Sequence, residues 1–181
     1  DETEYPRVAV MCGRCINMVA NMWHSPEKSE WKTGAPGIGS SEACMLGGVA
    51  AWLRWRARRK AAGKPYDKPN LIMSTAYQVV WEKFCQLWQI EMRTVPITSK
   101  HPTLDIERAI EMCDENTICI VPIAGVTWTG MNDDIEALND ALEQYNRITG
   151  YDIPIHVDAA SGGFILPFIN PEKKWDFRLK W

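Results

Sequence analysis

The sequence predicts an α/β fold built on a mainly parallel sheet with helices on both faces. Short apolar runs typical of buried strands alternate with stretches of helical spacing, as in βαβ units. One of these runs, 118–123, has no polar residue, as expected of a strand covered on both sides. Polar residues follow directly after two of the strands, at the edge where parallel sheets bind ligands. The 181 residues suit one domain with a substantial core.

Two helices are predicted in the first third of the chain. Apolar residues recur at helical spacing from Cys15 to Met22, as expected of a helix that packs into the core. A second helix begins near Ser40 and ends in the basic run 54–60, where positive charge complements the helix dipole. The intervening polar loop, 26–37, is expected at the mouth of a site. We expect the buried face of the second helix to be formed by Leu46, Val49, Ala50 and Leu53.

Strands and helices then alternate. Short strands are predicted at 71–73 and 90–95, with a helix between them over 79–87. Either Thr103 or Asp105 can cap the next helix, which leads into the strand 118–123.

The last two predicted elements are a helix and a strand. The helix ends at Gly150, and the final strand is predicted at 153–157. The apolar face of this helix is expected to contain Ile135, Leu138, Leu142 and Tyr145.

The composition argues against several classes of function. A net charge of −3 and a pI near 5.7 give no electrostatic basis for binding nucleic acid. No apolar run is long enough to span a bilayer and no signal sequence opens the chain, so we expect no membrane partner. The six scattered cysteines favour free thiols and a cytoplasmic protein over a disulfide scaffold. Nine tryptophans and eight methionines favour a larger core and a homo-oligomer interface.

Cys12 and Cys15 have the spacing of redox or zinc motifs. A structural zinc site takes four ligands, but the sequence contains no second pair of this spacing and only three histidines. Because Cys15 also lies in the apolar helical pattern, we interpret the pair as helix residues and predict no metal site.

The segment 37–43 predicts an anion site at a helix N-terminus. Ser40 and Ser41 follow two glycines, where unpaired backbone N–H groups and the positive end of the helix dipole attract negative charge. A phosphate monoester fits such a site, although a single serine could instead cap the helix. The segment is not a P-loop, because no lysine follows at the required spacing.

Asp158 directly follows the segment 153–157 and is followed by the small residues of 159–163. A carboxylate buried there needs a cation or several hydrogen-bond donors, and small residues leave room for a flat ligand. The protonated ring nitrogen of pyridoxal 5′-phosphate (PLP) meets this description, whereas the alternative is an Asp that only caps a turn. Thr127 and Gln78 are polar residues at the same edge, and taken alone both are ambiguous.

Four motifs follow one another along the chain: Gly-Ser-Ser-Glu-Ala at 39–43, the region 78–81, Gly-Val-Thr at 125–127 and His-Val-Asp-Ala-Ala-Ser-Gly-Gly at 156–163. In this order they resemble the motifs of PLP-dependent glutamate decarboxylases of the bacterial and plant type. The resemblance covers the whole chain and implies the large domain of the aspartate-aminotransferase-type (fold type I) enzymes. It implies PLP as the cofactor, L-glutamate as the substrate, and γ-aminobutyrate and carbon dioxide as the products.

The resemblance also implies a role for each candidate residue. Asp158 would pair with the ring nitrogen, and Gln78 would lie over the pyridine ring, so both are candidate catalytic residues. The remaining cofactor contacts would come from Ser40 and Ser41 at the phosphate, Thr127 at a polar edge and Ala160 beneath the ring.

The sequence departs from the family pattern in two respects. Ile123 stands where the bacterial enzymes have a hydroxyl residue, and residues 1–181 lack the Ser-Gly-His-Lys motif whose lysine binds the cofactor covalently. We therefore expect 1–181 to be a partial PLP-binding large domain, without the N-terminal segment, the lysine segment or the C-terminal small domain, and inactive alone. Two alternatives stay open, a non-catalytic fragment or pseudo-enzyme, and a PLP decarboxylase of another amino acid.

Overall fold

The computed structural model describes residues 3–26 and 34–180, so most of the loop predicted at 26–37 lies outside the described residues. No helix within these ranges is both long and apolar enough to cross a bilayer. In chain order the elements are α1 (Pro6–Met22), α2 (Ser40–Ala61), β1 (Asn70–Ser74), α3 (Val79–Trp88), β2 (Glu91–Val95), α4 (Ile106–Glu111), β3 (Thr117–Val121), α5 (Ile135–Thr149), a 3₁₀ turn (Gly162–Phe164) and α6 (Leu166–Ile169).

The three strands form a parallel sheet in the order β2–β1–β3. The register places Ile72 of β1 beside Arg93 of β2 and Ile120 of β3. Because successive strand residues point to opposite faces, Leu71 and Met73 pack with α2 and α3, whereas Ile72 packs with α4 and α5. The predicted α/β fold, with a parallel sheet and helices on both faces, is confirmed.

The strand predicted at 153–157 is not a regular strand. The segment runs parallel to β3, but the hydrogen-bond ladder between them is broken because Pro154 in the segment and Pro122 after β3 have no N–H to donate. Pro122 also explains why β3 ends at Val121 and not at Ile123 as predicted. Two isolated bridges remain, Ile120 with Ile155 and Ile123 with Asp158.

The caps of α4 and α5 follow local chemistry. Of the two candidate caps of α4, Asp105 is the residue that caps it, because its side chain accepts a 3.2 Å hydrogen bond from the Arg108 N–H. Asp134 caps α5 in the same way through the Ala137 N–H. As predicted, α5 ends at Gly150, which has the left-handed φ of +73° that favours glycine.

The buried face of α2 differs from the predicted one. Leu46 and Leu53 are 48% and 50% exposed. A Cβ at Gly48 would lie 2.7 Å from the Phe84 ring, so α2 packs against α3 more closely than leucines on that face would allow. Its fully buried residues are Cys44, Gly48 and Trp55.

The prediction that α1 is a core helix is wrong. The helix forms as expected, but Cys15 is exposed, Met18 is 67% exposed, and Ala20 is the one residue of α1 that is fully buried. The helix is anchored just beyond its C-terminal end, where the Trp23 ring packs edge-on against Trp175 at 5.9 Å between centroids. Apolar periodicity predicts the helix but not the depth to which it is buried.

Candidate active site

Three segments bring polar side chains to the carboxyl edge of the sheet. β1 leads to Gln78 at the start of α3, and β3 leads through Ile123 towards Thr127. The segment that runs beside β3 ends at Asp158, which is bridged to Ile123. This is the edge at which open parallel sheets bind ligands.

Asp158 is 5% exposed, and its two oxygens have different surroundings. Oδ2 accepts a 2.8 Å hydrogen bond from Trp81 Nε1 and a weak one from Cys44 Sγ at 3.9 Å. Among the described residues, Oδ1 accepts one long bond of 3.4 Å, from the Ala160 N–H. One oxygen is therefore well satisfied, and the other keeps the capacity to accept from a ligand.

The donors around Asp158 are all neutral. No described ion pair includes Asp158. His156 lies two residues away, and burial lowers its pKa despite the opposing effect of the Asp158 charge, which favours a neutral imidazole. A buried carboxylate with no cation is costly, so this arrangement favours a cationic ligand at Oδ1.

Cys44 is a donor and not a nucleophile in this site. Burial, with a smaller contribution from the charge of Asp158, raises the pKa of its thiol to about 12. The side chain therefore stays protonated near neutral pH and can direct its S–H towards Oδ2.

Gln78 and Thr127 form a hydrogen-bonded pair, in which Gln78 Nε2 donates to Thr127 Oγ1. Gln78 is half-buried at the N-cap of α3, and Thr127 is exposed on a turn that begins with Gly125. The φ of +89° at Gly125 is one that side chains other than glycine rarely adopt. The structure thus joins two residues that are ambiguous in the sequence.

Ser40 and Ser41 are the first two residues of α2, and both are exposed. The N-cap residue is Gly39, with no side-chain capping bond, so neither serine caps the helix. Glu42 instead accepts a 2.6 Å hydrogen bond from the Ile38 N–H, which fixes the chain entering the helix. The hydroxyl groups and the first-turn N–H groups stand together at the positive end of a 22-residue helix, as an anion site requires.

Ala160 is exposed at the start of the small-residue turn. Behind it, the Gly162 N–H donates to Ala124 O at 2.9 Å, and a Cβ at Gly162 would overlap that carbonyl. Trp23 Nε1 donates to Gly163 O at 2.8 Å from the other side. The turn is therefore fixed against the sheet while Ala160 stays accessible to a ligand.

The described residues fit PLP. The cofactor presents a ring nitrogen that carries a proton, a phosphate and a flat face. The buried carboxylate of Asp158, with one available oxygen, suits the protonated ring nitrogen. The two serines at the N-terminus of α2 suit the phosphate. The exposed Ala160, on a turn of small residues, leaves room for the flat face of the ring.

Sequence reasoning gave no role to the two donors that contact Asp158. Trp81 lies three residues after Gln78 on α3, and Cys44 lies three residues after Ser41 on α2. Residues three apart share a helix face, so this spacing is the signal that could have identified them.

Sequence reasoning also gave no role to Asp133, whose carboxylate binds the backbone N–H of Ile123. The Ile123 N–H donates to Asp133 at 2.7 Å and the Leu104 N–H donates to its other oxygen at 2.8 Å. Burial raises the pKa of Asp133, and these two bonds oppose the rise. Ile123 is itself buried, so its side chain supplies a packing contact where the resemblance expects a hydroxyl group.

Other candidate features lie away from this edge. Cys12 and Cys15 are free thiols, and no group of three or more metal-binding side chains comes together within residues 3–26 and 34–180. A cavity of about 190 Å³ includes Thr117, the first residue of β3, so it lies at the opposite edge of the sheet.

Comparison with known sequences identifies relatives over the whole chain. Residues 1–181 match the family described as the pyridoxal-dependent decarboxylase conserved domain. The chain is 50% identical over 182 aligned residues to glutamate decarboxylase of Lactococcus lactis and to glutamate decarboxylase beta of Listeria monocytogenes. Each alignment covers 99% of this chain and 39% of the relative, so the chain spans about two fifths of the length of these relatives.

Comparison with solved structures identifies a protein of the same name as these sequence relatives. Glutamate decarboxylase of Lactobacillus brevis superimposes with a TM-score of 0.94 at 50% identity, covering 99% of this chain and 41% of that one. Sphingosine-1-phosphate lyase of Burkholderia pseudomallei superimposes with a TM-score of 0.78 at 24% identity, covering 98% and 40%. The second match supports the fold alone.

Proposed function

The chain belongs to the pyridoxal-dependent decarboxylase family, and from this premise we propose that its carboxyl-edge site holds PLP. In the full-length protein, the proposed reaction is removal of the α-carboxylate of L-glutamate, which gives γ-aminobutyrate and carbon dioxide. Residues 1–181 would supply part of the cofactor-binding large domain. The relatives that support this reading are named glutamate decarboxylase and are 50% identical.

One observation carries the proposal, the burial of Asp158 among neutral donors. Such a carboxylate is stabilised when a cationic N–H donates to its available oxygen, Oδ1. When bound, PLP supplies an electron sink for the electrons left behind by the departing carboxylate. The task of Asp158 is to hold the proton on the ring nitrogen.

Ser40 and Ser41 bind the phosphate in this proposal. Each hydroxyl donates to a phosphate oxygen, and the first-turn N–H groups of α2 add the favourable end of the helix dipole. These contacts fix one end of the cofactor, and Asp158 fixes the ring end.

Gln78 and Thr127 orient the cofactor between these two ends. Their mutual hydrogen bond holds the Gln78 amide, so its planar face can pack over an aromatic ring. Thr127 keeps its hydroxyl hydrogen available to a polar group of the cofactor, because in this bond it only accepts. Ala160 lines the site on a turn that the sheet holds in place.

The surroundings of the complete protein are also part of the proposal. All six cysteines are free thiols, in keeping with a reducing cytoplasm. α1 exposes Val8, Met11 and Met18, and such apolar residues are commonly covered by another part of the protein or by another subunit. We therefore propose that the full-length protein is a cytoplasmic homo-oligomer.

The test is an amine-product assay on the full-length protein with PLP. A panel of amino acids that includes glutamate, aspartate and an aromatic amino acid is incubated, and the amines are separated by chromatography. We expect γ-aminobutyrate from glutamate as the dominant product. An amine from a different amino acid would favour the alternative decarboxylase, and no amine despite bound PLP would favour the pseudo-enzyme.

A further inference from the structure

We propose that Trp81 is a positioning residue of the cofactor site, whose indole N–H holds one oxygen of Asp158 so that the other faces the ring nitrogen. This inference rests on the proposed function, because it assumes that PLP binds beside Asp158. It goes beyond that function in giving a role to a residue that contacts neither cofactor nor substrate in the proposal.

The geometry of the bond between Trp81 and Asp158 leaves one carboxylate oxygen available. Trp81 is fully buried, and its Nε1 lies 2.8 Å from Asp158 Oδ2. The indole has one donor and no acceptor, so it can bind only one carboxylate oxygen. Because Oδ2 is occupied, rotation of the carboxylate would sacrifice this buried bond, and Oδ1 is left with the long contact to Ala160.

The indole itself is rigid. Its ring packs edge-on against Phe84, with 6.0 Å between centroids, and against His156, with 5.0 Å. His156 is in turn confined by α2, since a Cβ at Gly47 would overlap its ring. The donor is therefore held by aromatic packing on two sides and cannot follow a moving carboxylate.

An uncharged donor also suits the electrostatics of the site. A lysine or arginine in the place of Trp81 would orient Asp158 equally well, but it would neutralise the charge that the ring nitrogen needs. The indole is uncharged, so it orients the carboxylate without neutralising it, and the negative charge can stabilise the protonated ring nitrogen. The neutral thiol of Cys44 is directed at the same oxygen, so it also orients the carboxylate without neutralising its charge.

The experiment is a two-by-two comparison of cofactor affinity in the full-length apoprotein. Wild type and Trp81→Phe are each titrated with PLP and with its 1-deaza analogue, in which a carbon replaces the ring nitrogen. Trp88→Phe is the matched control, because Trp88 lies on the same helix and packs against Phe84, with 5.1 Å between centroids, without contacting Asp158.

We expect wild type and Trp88→Phe to prefer PLP over the analogue by at least about tenfold, the lower end for a hydrogen bond to a charged group. In Trp81→Phe this preference should fall at least about fivefold, while the affinity for the analogue changes little. If Trp81 had a purely structural role, Trp81→Phe would bind PLP and the analogue more weakly by the same factor, and the preference would not change. That result would overturn the inference.

The design separates failure of this inference from failure of the proposed function. No preference for PLP in wild type would show that Asp158 does not bind the ring nitrogen, whatever Trp81 does. If Trp81→Phe does not fold, Phe84→Leu loosens the indole without removing its N–H. We expect a preference at least about twofold lower in that variant, and an unchanged preference would contradict the positioning role.

Discussion

Replacing Asp158 by Asn in the full-length protein tests the chemistry of the site most simply. The change keeps the shape of the side chain and leaves an oxygen to accept from Trp81 Nε1, so the fold should persist. It removes the negative charge that stabilises a protonated ring nitrogen. At about 4 Å and an effective dielectric constant of about 20, that charge pair is worth about 4 kcal/mol. Activity should therefore fall about a thousandfold.

The thermal stability of the Asp158→Asn apoprotein should not fall with the activity. Without cofactor, the wild-type protein buries a carboxylate with no described cation beside it, and the neutral amide avoids that penalty. We expect the apoprotein of Asp158→Asn to melt no lower than wild type.

The assays are γ-aminobutyrate release at saturating PLP and thermal melting of the apoprotein. Asp152→Asn is the matched control, because Asp152 pairs with Arg54 and Arg58 and lines the cavity at the opposite edge. Near-normal turnover in Asp158→Asn would show that the charge of Asp158 does not support the reaction, and would leave Asp158 as a turn residue. A large loss of stability in the apoprotein would point to a structural role instead.

Three further predictions concern the phosphate site, the packing of α2 and the lysine anchor. The double variant Ser40→Ala with Ser41→Ala should bind PLP at least about tenfold more weakly in a titration of the apoprotein, and an unchanged affinity would remove the serines from the phosphate site. Gly47→Ala should lower the free energy of unfolding by about 1–2 kcal/mol, because the overlap of the added methyl group with the His156 ring outweighs the helix propensity that alanine adds. A denaturant midpoint equal to that of wild type would contradict this packing. After borohydride reduction with PLP, residues 1–181 alone should show no stoichiometric labelling in mass spectra, and the prediction fails if a label maps to Lys173, Lys174 or Lys180.

The fold was predictable because its main determinants are local. Apolar runs and helical periodicity located β1, α3 and α5, and Asp105 and Gly150 marked helix ends through their own backbone chemistry. The errors arose where local patterns say nothing about neighbours. The strand expected at 153–157 loses its ladder because Pro122 on the neighbouring segment, like Pro154 within the run, has no N–H to donate. The buried face of α2 differs because Phe84 on α3 packs against Gly48.

The candidate site was predictable in part for the same reason. Asp158, Ser40 and Thr127 stand at strand or helix ends, where the sequence itself marks a ligand-binding edge. The donors to Asp158 could not be found this way, since Trp81 is 77 residues away and Cys44 is 114 residues away. Their role depends on how α2 and α3 pack on one face of the sheet, which only the folded structure specifies.

The central claim is that Asp158 and the start of α2 bind the two ends of PLP. The most direct measurement is an experimental structure of the full-length protein with the cofactor bound. We expect the ring nitrogen within about 3 Å of Asp158 Oδ1 and the phosphate on the hydroxyl and N–H groups of Ser40 and Ser41. Density for the cofactor at another edge of the sheet, or a ring nitrogen that faces no carboxylate, would contradict it.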